Sequence, residues 1–174
     1  MASQKLTDKT ALAEPTAKDD LYMIVDKSDT TGSSAGTSKK IDAKFVIQTD
    51  IVTGNLDLAS NPLTLVAQPG AGYIVQPITI TVLYTFNSIA SPTSNNMYIN
   101  YDSSDSTEYI VSQRDFIRND PASRTYQFGC SNSNLSDGVY AGSIENRALV
   151  MWASADLGGN GAFKVYVTYQ IVKL

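Results

Sequence analysis

Histidine is missing from this 174-residue chain. Imidazole is the commonest general base and metal ligand near neutral pH, so Ser-His-Asp and Cys-His sites are excluded and the usual zinc patterns cannot form. Cys130 is the single cysteine, so no intrachain disulfide exists. Flanked by Tyr126 and Phe128, it reads as a buried strand thiol. Charge is scarce: 17% of residues are ionic and the net charge is −4. The one adjacent basic pair is Lys39-Lys40, far short of the cationic surface that neutralises phosphates, so no nucleic-acid partner is expected. No apolar run approaches the roughly 18 residues of a membrane span, so no membrane partner is expected either. The N-terminal Met-Ala-Ser-Gln-Lys-Leu lacks the apolar centre of a signal peptide, which points to a cytosolic product without classical export. No heptad pattern or fixed-period repeat is present, which removes a coiled-coil stalk.

What remains is turn-rich and β-prone. The hydrophobic fraction is 43% and there are ten tyrosines, enough to exclude disorder and to favour strands. Residues 161–174 alternate cleanly. Phe163, Val165, Val167, Tyr169 and Ile171 fall on one face, and Lys164, Tyr166, Thr168 and Gln170 on the other, the period of a half-buried strand. Tyr73–Phe86 alternates in the same way, with Ile78, Ile80, Val82, Tyr84 and Phe86 on one face. As one strand it would span on the order of 46 Å, so Pro77 is expected to mark a bulge or a break. Arg147–Ala153 is continuously apolar and reads as a strand buried on both faces, with Trp152 in the core. Leu63–Gln68, Met97–Tyr101, Glu108–Ser112 and Thr125–Cys130 complete the set, and Asp115–Arg118 is expected to continue its strand after a bend. Seven or eight strands at this spacing predict an all-β fold, an antiparallel β-sandwich of jelly-roll type.

The chain divides by texture. Residues 1–50 predict a particle-docking arm and β-hairpin module, 51–62 a connector, and 63–174 the sandwich. In the first part, residues 1–19 read as an extended arm. Asp20–Asp26 and Lys39–Ile47 are two short apolar segments around the polar stretch Ser28–Ser38, which reads as flexible. Two strands alone are marginal in water, so the module is expected to need a partner surface. Leu21, Met23, Val25, Ile41, Phe45 and Val46 are its candidate apolar contacts.

No constellation here carries chemistry, so no catalytic, cofactor or metal residues are assigned and an enzyme is not expected. Asp102, Asp105 and Glu108 offer oxygens to a hard cation, but their spacing is not that of a calcium loop, and a solvated acidic loop is the better reading. Gly158-Gly-Asn-Gly161 precedes a strand rather than a helix and lacks a Lys-Ser/Thr end, so it reads as a hairpin turn and not a phosphate loop. Two carboxylates alone could run a glycosidase, but nothing pairs any two across a cleft. Of the tyrosines, Tyr98, Tyr101, Tyr109, Tyr126, Tyr140 and Tyr169 are best read as sheet packing. Tyr166, opposite the Phe163/Val165/Val167 face, is the candidate for an oligomer contact or an exposed aromatic surface.

The segment Leu12-Ala-Glu-Pro-Thr-Ala-Lys-Asp-Asp-Leu-Tyr-Met-Ile-Val-Asp-Lys-Ser-Asp29, a polar loop and then Lys39-Lys-Ile-Asp42 resembles an N-terminal element of tailed-bacteriophage virion proteins, found in fibre and head-decoration proteins. The turn-strand Gln68-Pro-Gly-Ala-Gly-Tyr-Ile-Val75 and the ending Lys164-Val-Tyr-Val-Thr-Tyr-Gln-Ile-Val172 are similar to β-rich phage structural domains. The motifs are short and lie towards both ends of the chain. The resemblance implies a non-enzymatic virion structural protein assembled in the host cytoplasm: a homotrimeric head fibre or capsid-decoration protein whose N-terminal module holds the major capsid protein or another virion protein. The alternative it implies is a tail-fibre or receptor-binding module with a host surface glycan as partner. It supplies no catalytic residues.

Overall fold

The computed structural model describes residues 21–32, 34, 36–42, 46–92, 95–101, 110–130 and 144–174. The chain forms two units, Met1–Val46 and Ile47–Leu174. The first holds a two-stranded antiparallel sheet of β1 (Leu21–Asp26) and β2 (Thr37–Asp42), in register from Leu21 opposite Asp42 to Asp26 opposite Thr37.

Among the described residues between these strands, side chains tie the connection. Asp26 accepts from the backbone and hydroxyl of Ser28, and Asp29 accepts in the same way from Thr31. These are Asx-type turns, in which a short acidic side chain replaces a backbone acceptor. Thr37 donates its hydroxyl to the Asp29 carbonyl, and Lys39 reaches the Asp29 carboxylate at 2.6 Å. Gly36 has φ 109°, and a Cβ there would stand 2.7 Å from the Asp26 carbonyl oxygen, so the turn requires glycine at that position.

The Lys39 bond, then the Thr31 hydroxyl and amide, hold the Asp29 carboxyl down at about 2. A lowered folded pKa means that the stabilisation is present above the ordinary carboxylate range and is lost only as pH falls through the folded value. The turn is therefore expected to keep its hydrogen bonds at pH 3, and the Asp29 carboxyl carbon should titrate with a midpoint near 2 by NMR. A midpoint near 4 would show that these bonds do not form.

Among the described residues the second unit is an eight-stranded sandwich of two four-stranded sheets. Its strands are β3 (Gln48–Gly54), β4 (Leu63–Val66), β5 (Tyr73–Thr85), β6 (Met97–Tyr101), β7 (Val111–Gln113), β8 (Arg124–Gly129), β9 (Leu149–Ala153) and β10 (Ala162–Lys173). One sheet runs β3-β10-β5-β8 and the other β4-β9-β6-β7, all antiparallel. First pairs with last, second with second-to-last, and so inward to β6 with β7. A long hairpin rolled up on itself gives this order, and it is the jelly-roll topology. The expectation of an all-β sandwich is met, and among the described residues there is no helical element.

The alternation of β10 does what its period requires. Phe163, Val165, Val167 and Tyr169 are buried between the sheets. Ile80, Val82 and Tyr84 of β5 meet them from the neighbouring strand, and Ile99, Leu149 and Met151 from the opposite sheet are fully buried in the same core. At one end of the core Phe163 lies between the rings of Tyr84 (5.8 Å) and Phe116 (5.5 Å), and Phe116 also meets Tyr126 at 4.8 Å.

Pro77 marks a bulge and not a break. β5 is continuous, but Thr168 pairs with Thr79 while Tyr169 pairs with Pro77, so Ile78 is an extra residue. Proline has no N–H for the ladder, and a bulge absorbs that defect. Burial moves from Val75 and Pro77 before the bulge to Ile80, Val82 and Tyr84 after it. Ile78, grouped with the core face by simple alternation, is instead 38% exposed.

Four further expectations change. Gln48–Gly54, read as the end of the docking module and part of a connector, is the edge strand β3, paired along β10. Asp115–Arg118 does not extend its strand. It is a turn with Asp115, Ile117 and Asn119 at φ 51°, 55° and 50°, and Phe116 and Ile117 plug the core from it. A β-branched residue held at positive φ is costly, and the burial of Ile117 is what offsets that cost. Gly158–Gly161 is not a hairpin turn, because β9 and β10 belong to different sheets. Trp152 is buried as expected, but its register partner is Tyr98, on the side of the sheet facing away from Ile99 and Met151. There it stacks on Tyr98 at 4.6 Å and donates its indole N–H to Asn100.

Among the described core residues, one side-chain group is orphaned. The Tyr84 hydroxyl is buried without a protein hydrogen-bond partner, whereas the Tyr101 hydroxyl donates to the Val75 carbonyl at 2.7 Å. Tyr84→Phe is therefore expected to leave stability unchanged or raise it by up to about 1 kcal/mol, while Tyr101→Phe loses about 1 kcal/mol. Paired urea melts of the two variants check this, and a loss at Tyr84 equal to that at Tyr101 would contradict it.

Candidate functional site

Three surfaces emerge from this architecture. The first is the β1–β2 sheet. It has too few strands to bury an apolar face, and its apolar side chains are open: Tyr22 is 37%, Ile24 45% and Val25 58% exposed. Of the residues singled out from sequence, Val25 and Val46 are exposed and Ile41 is half-buried opposite Tyr22. Leu21 and Met23 take part in the backbone ladder opposite Asp42 and Lys40. Phe45 lies outside the described residues. Tyr22 and Ile24, the alternate positions of β1, are open as well and were not among the candidates. Both positions of a two-stranded ribbon are open to a partner, so alternation does not choose between them.

The second surface is the outer face of the β3-β10-β5-β8 sheet. Cross-strand register places Ile51, Tyr166, Thr81 and Gln127 in one row across all four strands. Thr49, Thr168 and Thr79 form the next row, with the Thr49 and Thr168 hydroxyls 3.0 Å apart. Thr53, Lys164, Leu83 and Thr125 form the row on the other side. Tyr166 stands at the middle of a flat, threonine-rich face, half-buried among neighbours of its own sheet, with the Lys164 ammonium 5.4 Å from its ring centre. Strand β3 is the open edge beside it. Asp50 lies on the core-facing side of that edge and accepts the Tyr169 hydroxyl at 2.8 Å. An inward charge at an edge discourages a further strand from adding there.

The third surface was not legible as a site. At the end of the sandwich where β10 begins, the loop segments 55–62, 86–92 with 95–96, 114–123 and 154–161 meet. Asp156 accepts from the amides of Ala59 and Ser60 and from the Ser60 hydroxyl. Asn160 accepts from the amides of Ser88 and Ile89 and donates to the Ser88 hydroxyl. Ser91, fully buried, donates to the Leu157 carbonyl, and the Asn119 amide donates to the Ser91 carbonyl at 2.8 Å. Hydrogen bonds from Ser60, first and foremost, keep the Asp156 carboxyl below the usual range. Four loops are thereby stitched into one platform, the arrangement in which loop residues hold a fixed geometry. Residues 55–57, Asp156 and Gly158–Gly161 line an open cleft of about 370 Å3 in it.

Among the described residues no group of His, Cys, Asp or Glu is placed to hold a metal. Asp102, Asp105, Glu108, Tyr109 and Tyr140 lie outside them. Cys130 follows β8 half-buried, and burial pushes its thiol up to about 11, so it is a poor nucleophile.

No family model matches the chain, and no curated protein sequence matches it. Among solved structures it is weakly similar to a protein of the Israeli acute paralysis virus full particle heated to 63 degrees, at 12% identity and TM-score 0.31, over 95% of this chain and 96% of that one. A second weak likeness is to SGBP-B from a complex xyloglucan utilization locus in Bacteroides uniformis, at 8% identity and TM-score 0.27, over 82% of this chain. The chain spans about half the length of that protein, 54%. Neither likeness is strong enough to assign a function, and the jelly-roll topology stands on the strand order alone.

Proposed function

We propose that this chain is a non-enzymatic structural protein of a tailed-bacteriophage virion, a homotrimeric head fibre or capsid-decoration protein. In this reading the β1–β2 unit docks on the major capsid protein or another virion protein, and the jelly roll forms the outer head. The observation that carries it is the division of the chain into a core-bearing sandwich and a separate two-stranded unit whose Tyr22, Ile24 and Val25 are open. A ribbon of that size does not stabilise itself by burial, and a partner surface supplies what it lacks. The sequence motifs at Leu12–Asp29 and Lys39–Asp42 support the same assignment.

The chemistry of a cement protein is added interface. Each docked ribbon covers apolar area worth about 25 cal/mol per Å2, and three ribbons on one trimer act together, so the second and third bind at high effective concentration. The flat Tyr166 face of the sandwich is the surface through which neighbouring subunits pack around the trimer axis. Mass spectrometry of purified phage particles tests the assignment: the chain should be a stoichiometric particle component. Its absence from particles of a phage that encodes it would refute the proposal.

A further inference from the structure

The loop platform contains hydrogen-bonding groups that the fold does not use. Most polar side chains around the cleft are consumed in stitching the loops, as Asp156 and Asn160 show. Asn55 is different. It is exposed at the cleft and its amide makes no hydrogen bond among the described residues. Asp57 gives one carboxylate oxygen to the Asn61 amide and leaves the other unpaired. On the facing side, the N–H groups of Gly158 and Gly159 donate to no protein acceptor among the described residues.

The glycines leave that backbone bare for a packing reason as well. Both take positive φ, 67° and 81°, and a Cβ on Gly159 would lie 2.7 Å from the Ile89 carbonyl oxygen. Beneath Gly161, the next glycine of the lining, lies the Tyr84 ring. The ring carbon that carries its unpartnered hydroxyl is 2.9 Å from where a Gly161 Cβ would stand. The cleft thus has an amide that both donates and accepts, a carboxylate oxygen and two backbone donors.

The geometry points to a binding site for a neutral saccharide in this cleft. Its size, about 370 Å3, lies in the range of small-molecule pockets. No lysine or arginine lines it, which disfavours an anionic ligand. Vicinal hydroxyls each donate and accept, and they match a mixed set of carboxylate, amide and backbone N–H groups held at fixed spacing. The ligand surface is therefore the loop end and not the Tyr166 face. This site belongs to the sandwich unit and does not rest on the docking role of the β1–β2 unit, so either stands without the other.

The test is an amide NMR titration of the full chain with free monosaccharides: a neutral hexose, a 6-deoxyhexose, a pentose and an N-acetylhexosamine, with calcium chloride as a separate arm. At least one sugar should shift the amides of residues 55–57 and 156–161 saturably. Asn55→Ala should then raise Kd about 3–10-fold and Asp57→Asn about 10-fold or more, as expected for a neutral and a charged hydrogen bond. Gln127→Ala, on the outer sheet face, should leave Kd unchanged. Shifts elsewhere, shifts with calcium alone, no shift with any sugar, or an unchanged Kd in both cleft variants would each overturn the assignment. The Asn55 side chain makes no hydrogen bond among the described residues, so its variant is expected to fold like the parent and keeps the test clean.

Discussion

Phe163→Ala is expected to remove about 3–5 kcal/mol of stability, the range for truncating a buried aromatic. Phe163 is 2% exposed, lies between the Tyr84 and Phe116 rings, and belongs to the strand that both β3 and β5 pair with. The surroundings have little freedom to close the hole. Tyr84 is fixed against Gly161, and Phe116 is held by a turn that already carries Asp115, Ile117 and Asn119 at positive φ. Urea melts of the variant should show an earlier midpoint with the same slope. For a domain whose total stability is commonly 5–15 kcal/mol, such a loss leaves a marginal fold at 37 °C. A cost below about 1 kcal/mol would show that the loop end is not packed as described.

Deleting residues 1–46 is expected to leave the jelly roll folded and to abolish particle association. The deletion removes the β1–β2 unit at its boundary and spares β3, whose seven residues complete the sheet alongside β10. A cut at residue 54 is the informative contrast. It also removes β3, exposes the β10 edge and takes away the Asp50 acceptor of Tyr169, so it should unfold or aggregate. Thermal melts of both truncations and sedimentation with particles check the pair. Retained particle binding by the 47–174 fragment would sink the docking role of the hairpin. The cut at 54 melting like the cut at 46 would contradict the edge-strand assignment.

These truncations also mark where sequence reasoning succeeds and where it stops. β10 and β9 are legible because burial on one face, or on both, leaves a direct trace in alternation or in a continuous apolar run. The Pro77 bulge is legible because proline cannot serve the ladder. β3 is not. An edge strand needs only part of a buried face, and here Asp50 occupies a core-side position while Ile51, at 56% exposure, points outward, so the polarity pattern runs backwards. The pairing of first strand with last is set by contacts more than a hundred residues apart, which no local window carries. The loop platform is hidden for the same reason. Asp156 and Ser60 read separately as turn residues, and only the closed roll brings them together across a separation of 96 residues. The ribbon was legible as a separate two-stranded element, but which of Tyr22, Ile24 and Val25 it leaves open was not, since a two-stranded sheet has no inside.

The most direct test of the central proposal is the molar mass of the purified full-length protein by light scattering, alone and after mixing with particles that lack it. The proposed reading expects about three times the 18.8 kDa chain mass for the free protein, and co-migration of that trimer with the particles. A monomer that stays behind when the particles elute would contradict it.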